Sequence, residues 1–237
     1  MKYKTEINTA AISWSNEGHP HSNDFDDVYY STSGGLDESR HVFIAGNNLE
    51  ARLLNRTEPF YILETGFGTG LNFLACLKLW TDLELQIPLH FVSIEAFPLS
   101  AQQLHKALQP WLPYLNDEIT LLLAAYSDLK PGSNILKING HITLQLIVTD
   151  AKDFKVYQPA IDAVFLDGFS PTNNPEMWTE ALFDTIYKSM KSNASLATYT
   201  VAGSVKRALK AAGFEIKKLP GHGKKREMLS AFKPPAK

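Results

Sequence analysis

Cysteine is nearly missing from this chain of 237 residues: Cys76 stands alone, which rules out a disulfide framework and a CxxC-type zinc pair. Long apolar runs are missing too. None approaches the ~20 residues needed to cross a bilayer, and residues 120–126 (TLLLAAY) form a piece the length of a strand. The polar start, MKYKTEIN, lacks the apolar stretch of a signal peptide. Charge of one sign is lacking as well, since 23 Lys and Arg face 25 Asp and Glu for a net charge of −2. That balance does not advertise nucleic-acid binding. These absences point to a reducing, cytoplasmic setting without a membrane partner. What remains, 44% hydrophobic and 20% charged, is ordinary globular composition in a chain long enough to bury a core unaided.

The chain divides by pattern. Residues 1–58 are irregular, with Gly34-Gly35 and short segments such as 41–44, and read as a strand-rich N-terminal extension. From Pro59 to residue 233, short apolar runs at 60–64, 90–95, 142–148, 161–166 and 195–200 suit parallel strands covered on both faces. Helical candidates lie between them at 71–80, 98–108, 175–191 and 202–212, with Pro98 and Pro175 at first-turn positions and Gly213 as a stop. Residues 214–219 and 227–232 read as a closing hairpin, and 234–237 as a tail or the start of a linker. Alternating strands and helices predict an α/β fold with a mostly parallel sheet, ligands binding at the carboxyl ends of its strands. The C-terminal antiparallel hairpin is what the Rossmann-like class I S-adenosylmethionine-dependent methyltransferase plan adds and simple dinucleotide-binding domains lack.

The sharpest motif is Glu64-Thr-Gly66-Phe67-Gly68-Thr-Gly70, directly after the first of these strands and before a helix. Glycines let the chain turn tightly and keep side chains out of the space between backbone and ligand. A dinucleotide fingerprint would need glycine where Leu71 stands; an acid followed by GxGxG is instead the methyltransferase form. Acids end the following strands too. Glu95 is placed to accept from ribose hydroxyls, Asp150 from an adenine amino group, and Asp167 ends the fourth strand, within the run FLDGF. Each acid alone could be a helix cap or loop residue; a series of strand-end acids argues for a cofactor site.

Four longer stretches carry a specific resemblance: DFDDVYY (24–30), ETGFGTGLNFL (64–74), FLDGFSPTNNPEMW (165–178) and GKKREML (223–229). Through them the chain resembles the methyltransferase domain of the bacterial tRNA 5-methylaminomethyl-2-thiouridine biosynthesis bifunctional proteins, the MnmC family. The resemblance implies S-adenosylmethionine as cofactor, held by Glu64, Gly66, Phe67, Gly68, Gly70, Asn72, Glu95, Asp150 and Asp167. It also implies transfer of a methyl group to the aminomethyl group on the wobble uridine of tRNA, forming 5-methylaminomethyl-2-thiouridine. Bifunctional members carry a C-terminal FAD-dependent oxidase domain. No second dinucleotide fingerprint occurs in this chain, so neither flavin nor oxidase activity is expected of it, and the Pro-Pro tail fits a cut linker.

Asp167 is the expected group to orient the amine and accept its proton, with a structural turn acid as the alternative. Phe169 is expected to stack on a flipped base or to pack the loop. Trp178 reads as pocket wall or core anchor, and Asp26, Tyr29 and Tyr30 as groups closing over the substrate. The basic run Lys224, Lys225, Arg226 suits phosphate contacts in the tRNA anticodon region. His19 and His21 have no acidic or cysteine pattern around them, so no metal is expected. Three alternatives stay open: a class I methyltransferase acting on another RNA, a protein or a small-molecule amine; a nicotinamide-dependent oxidoreductase; and a non-catalytic tRNA-binding module with a relic pocket.

Overall fold

The computed structural model describes residues 6–30, 34–155 and 160–235; residues 1–5 of the expected extension, and 236–237 of the expected tail, lie outside them. The chain opens with a small antiparallel sheet of β1 (Ile12–Trp14), β2 (Pro20–Ser22) and β3 (Asp27–Val28). Short helices follow: α1 (Gly35–Ser39), a π-helical turn (Arg40–Ala45) and α2 (Leu49–Leu53). Then come β4 (Phe60–Thr65), α3 (Leu71–Asp82), β5 (Leu89–Glu95), α4 (Ala101–Leu108), α5 (Leu112–Ala125), β6 (Gly132–Lys137) and β7 (Ile142–Val148). The chain closes with β8 (Ile161–Leu166), α6 (Glu180–Ser189), β9 (Met190–Thr198), α7 (Gly203–Ala211), β10 (Glu215–Pro220) and β11 (Glu227–Phe232).

The large sheet has the order β10-β11-β9-β8-β4-β5-β7-β6. β4 pairs in parallel with both β5 and β8, β5 with β7, and β8 with β9, while β6, β10 and β11 run antiparallel to their neighbours. The chain leaves β4 toward β5 and later returns on its other side at β8. That reversal opens a crevice beyond the carboxyl ends of the two strands. This is the α/β plan expected from the alternation, hairpin included.

The central strands are buried on both faces and divide their side chains between two layers. Along β4, Ile62 joins the core with Phe73, Phe91 and Phe165, while Leu63 joins Val92, Val164, Phe183 and Ile186 on the other side. Each fully buried side chain of this size contributes roughly 1.5–3 kcal/mol, so the sheet is the rigid base from which the strand-end loops project.

Four local expectations change. Residues 41–44 are not a strand: Val42, Phe43 and Ile44 are buried in the π-helical turn, and the Phe43 ring lies 5.2 Å from that of Phe165. Residues 120–126 belong to a helix up to Ala125, because Leu115, Ile119 and Leu122 recur at helical spacing and are the apolar residues α5 buries. The helix expected over 175–191 is broken in two. Pro175–Trp178 is a 3-10 turn, and Thr179 caps α6 by accepting from the Leu182 amide at 3.3 Å. Met190 and Lys191 already belong to β9. Likewise α4 starts after a Ser100–Gln103 capping box and not at Pro98. Strand β6 was not anticipated: it is a polar edge strand whose Ile135 is exposed.

Candidate active site

A cavity of about 720 Å³ opens at the crevice beyond β4, β5, β7 and β8, within the ~300–1,000 Å³ usual for small-molecule sites. Its floor is the turn after β4, where Gly66, Gly68 and Gly70 all have positive φ. At Gly68 (φ +52°) a Cβ would lie 3.3 Å from the Tyr29 ring. The gap between turn and Tyr29 therefore depends on glycine. Gly66 lies against the next loop: its Cβ would stand 3.1 Å from the Gly168 Cα.

Two of the acids, Glu64 and Asp167, are linked through one side-chain amide. Glu64 is fully buried, with Asn72 Nδ2 donating to its Oε1 at 3.0 Å and Ser93 Oγ to its Oε2 at 2.6 Å. Burial pushes its carboxyl well up, so the fold favours the neutral acid. The same Asn72 amide donates at 2.7 Å to Oδ2 of Asp167, which is tied at its backbone to the Thr65 hydroxyl. Burial raises the Asp167 carboxyl from 3.8 to about 6; donors from Gly168 and Asn72 oppose that rise, Glu38 adds to it and Lys225 lowers it. Glu95 accepts from the Gly68 amide at 2.9 Å and the Phe97 amide at 2.9 Å, and burial raises its carboxyl against these bonds. Asp150 caps the 3-10 turn Ala151–Asp153 through the Lys152 amide at 3.1 Å and pairs with the Lys152 ammonium at 2.9 Å.

Of the expected cofactor residues, Gly66, Phe67, Gly68, Asn72, Glu95, Asp150 and Asp167 line the cavity. Glu64 and Gly70 are not in its wall. Glu64 sits behind Asn72, and Gly70 opens α3 where a Cβ would meet the Phe67 ring at 2.7 Å. Of the expected substrate residues, Phe169, Tyr29, Tyr30, Lys224 and Lys225 line it. Phe169 stacks on Phe25 with centroids 4.9 Å apart and meets the edge of Tyr29 at 5.2 Å. Burial raises the Tyr29 phenol further than that of Tyr30, which reaches about 12 and donates to the Ala107 carbonyl at 3.1 Å. Trp178 is buried off the cavity and donates to the Phe169 carbonyl at 3.0 Å, so it anchors the loop. Asp26 points away, its Oδ1 3.4 Å from Nε2 of His21 at the surface, and Arg226 is exposed on the hairpin loop.

Lining residues that the sequence did not single out include Asp27, Glu38 and Tyr199. Asp27 accepts from the Ser170 amide at 2.9 Å, and the Tyr199 hydroxyl donates to the Gly168 carbonyl at 2.9 Å. Asp27 lies inside the 24–30 motif, and Tyr199 directly follows β9; both positions were legible signals. Glu38 gave none, because the helix that carries it was not foreseen.

Residues 113–234 match the sequence model of a family described as S-adenosyl-L-methionine-dependent methyltransferase. The chain belongs to this family. Its cofactor is accordingly S-adenosylmethionine, and the oxidoreductase alternative falls. Among curated relatives, this methyltransferase is 46% identical over 224 residues to the tRNA 5-methylaminomethyl-2-thiouridine biosynthesis bifunctional protein MnmC of Methylobacillus flagellatus, covering 93% of this chain and 34% of that protein. It is 43% identical over 238 residues to the protein of the same name in Aeromonas salmonicida, covering 96% and 36%. The resemblance drawn from the motifs is borne out, and the chain spans about a third of the length of these relatives. Among solved structures, MNMC2 from Aquifex aeolicus is similar with a TM-score of 0.71 at 24% identity, over 99% of this chain and 75% of that one; this likeness speaks for the fold. Among the described residues, no helix is long and apolar enough to cross a membrane.

Proposed function

We propose that this methyltransferase acts in the cytoplasm on the anticodon region of tRNA, methylating the aminomethyl group of the wobble uridine to give 5-methylaminomethyl-2-thiouridine. The amine would be supplied by the FAD-dependent oxidase activity that the family resemblance implies for a second domain. One observation carries the reading: an ionisable carboxyl, Asp167, stands at the junction of a glycine-floored cavity and an aromatic wall.

The cavity fits the cofactor. Its bare backbone floor at Gly68 leaves the room that a side chain would fill, and Asp27, Glu38, Glu95, Asp150, Asp167 and Glu176 bring negative charge to its lining, which suits a sulfonium cation. The turn from Gly66 to Gly70 would pass beneath the cofactor. The Glu95 carboxylate, held in place by the Gly68 and Phe97 amides, is the acceptor that a ribose hydroxyl would meet, and Asp150 stands where the adenine would end. Bound there, S-adenosylmethionine would supply an electrophilic methyl carbon open to in-line attack by an amine lone pair, the C–S bond breaking as the C–N bond forms and S-adenosylhomocysteine leaving as the neutral thioether.

The protein's task is to align that lone pair and free it of its proton, and alignment alone is worth up to ~7–11 kcal/mol in favourable systems. Asp167, at about 6, is a stronger base than an exposed aspartate yet largely ionised at neutral pH. Asn72 fixes its orientation by a 2.7 Å bond. Proton acceptance at such a carboxylate typically contributes ~10²–10⁴-fold. The wall of Phe25, Phe169 and Tyr29 provides apolar surface for a base taken out of its stack, and Lys224 and Arg226 face solvent where phosphates would approach.

The test is transfer of labelled methyl from S-adenosylmethionine to tRNA pools that carry or lack the wobble aminomethyl group. Label should appear in 5-methylaminomethyl-2-thiouridine in the first pool alone; label independent of the modification refutes the assignment.

A further inference from the structure

The loop between β10 and β11 is tied down over the cavity. His41 Nε2 lies 2.8 Å from the Pro220 carbonyl, and Lys225 Nζ donates to Glu38 Oε1 at 2.7 Å, which joins the loop to α1 and the turn after it. The Lys225 ammonium also sits 4.1 Å from the centroid of the Tyr199 ring. It is thus held by a carboxylate and by the face of an aromatic, the pair of groups that recognises a primary ammonium ion. Glu38, Tyr199 and Lys225 all line the cavity beside Asp167, and Tyr199 is hydrogen-bonded to Gly168, the residue after it.

We propose that Glu38 and Tyr199 form the seat for the substrate's primary ammonium, and that Lys225 occupies this seat as an internal stand-in until the substrate displaces it. This deepens the proposed function and rests on its reading of the substrate as an amine. Glu38 is largely buried, with 15% of its side chain exposed, so leaving it without a cation in the closed cavity is unfavourable. Exchange of one ammonium for another avoids that state. Lys225, 45% exposed, is free to swing outward toward Lys224 and Arg226, where phosphate oxygens offer it a new partner. An amine joined to a phosphate backbone therefore both fills the seat and holds the displaced lysine. A free amine does only the first, so the exchange discriminates against small amines. Burial raises the Asp167 carboxyl and the charge of Lys225 offsets a small part of that rise, so an incoming ammonium in the same place meets the proton acceptor in the same electrostatic setting.

Methylammonium alone is the probe, titrated into protein loaded with S-adenosylhomocysteine and followed by the NMR shifts of the Gly168 and Tyr199 amides. Lys225→Ala should saturate at roughly tenfold lower methylammonium than the unaltered protein, the gain expected from removing one half-exposed ion pair and one cation–π contact. The double variant K225A/E38Q should lose that gain. Far-ultraviolet circular dichroism and thermal unfolding that match the unaltered protein show that the fold is intact in each variant. Equal saturation in the unaltered protein and Lys225→Ala, or a gain retained by the double variant, overturns the seat. Methyl transfer to aminomethyl tRNA by the unaltered protein is measured alongside. Its absence would refute the proposed function, while the methylammonium titration still decides the seat.

Discussion

Replacing Asp167 by asparagine should stabilise the protein and disable it. Asparagine keeps an oxygen to accept from Asn72 but cannot ionise. In the fold the Asp167 carboxyl is raised from 3.8 to about 6 by burial, so the folded state favours the protonated form. Stabilisation from this group is complete below about pH 4 and is lost as pH rises through about 6. Integrating between the two values gives an ionisation cost of about 3 kcal/mol at pH 8 and about 1 kcal/mol at pH 4.5. Asp167→Asn removes that cost. Its advantage in urea or thermal unfolding should therefore be small at pH 4.5 and grow by about 2 kcal/mol at pH 8, or roughly 5 °C in Tm for a chain of this size. Asp167→Ala should leave S-adenosylhomocysteine binding largely intact and cut turnover by at least about tenfold. A gain that does not change with pH, or an asparagine variant less stable than the parent at pH 8, would refute burial as the cause of the raised value. Unchanged turnover in the alanine variant would remove Asp167 from the chemistry.

Four further outcomes follow from the same geometry. Gly68→Ala must hold φ at +52° with its Cβ 3.3 Å from the Tyr29 ring, so stability should fall by about 1–2 kcal/mol and calorimetry should show weaker S-adenosylhomocysteine binding. Ser93→Ala removes the 2.6 Å donor to Glu64 and should cost about 1–3 kcal/mol in urea unfolding; a neutral result would show that Glu64 does not need it. Asp162→Ala strips Arg56 (3.1 Å) and Lys191 (2.9 Å) of their buried carboxylate partner, with an expected loss of about 3 kcal/mol and no change in cofactor affinity, since this cluster lies at the opposite ends of β4 and β8. Lys224→Ala with Arg226→Ala should weaken tRNA binding and flatten its salt dependence by about one to two units of slope; an unaltered slope would place the phosphates elsewhere.

The site was legible wherever its chemistry is written in consecutive residues. The glycine turn and the acids Glu95, Asp150 and Asp167 follow strands that the apolar runs marked, and the lining of the cavity gathers all three acids. Glu64 shows the limit of that reasoning. It lies one residue before the end of β4, yet strand alternation turns its side chain into the core toward Ser93 and Asn72. Trp178 and Phe169 were each open between packing and binding, because sequence does not reveal which way a loop aromatic turns. The stretch 41–44 misled because a short apolar run looks the same in a strand and in a buried helical turn. Glu38 was invisible for a related reason: its partners, Lys225 and the neighbourhood of Asp167, are brought to it only by tertiary folding.

The glycine floor and strand-end acids come from the sheet, whereas Phe25, Asp27, Tyr29, Tyr30 and Glu38 come from the segment that precedes it. One wall of the cavity is thus carried by a stretch of chain separate from the glycine floor, and the two meet only across the crevice, where Asp167, Phe169 and Tyr199 join them. Under the proposed function, that wall can be rewritten for a new acceptor while the glycine floor stays untouched.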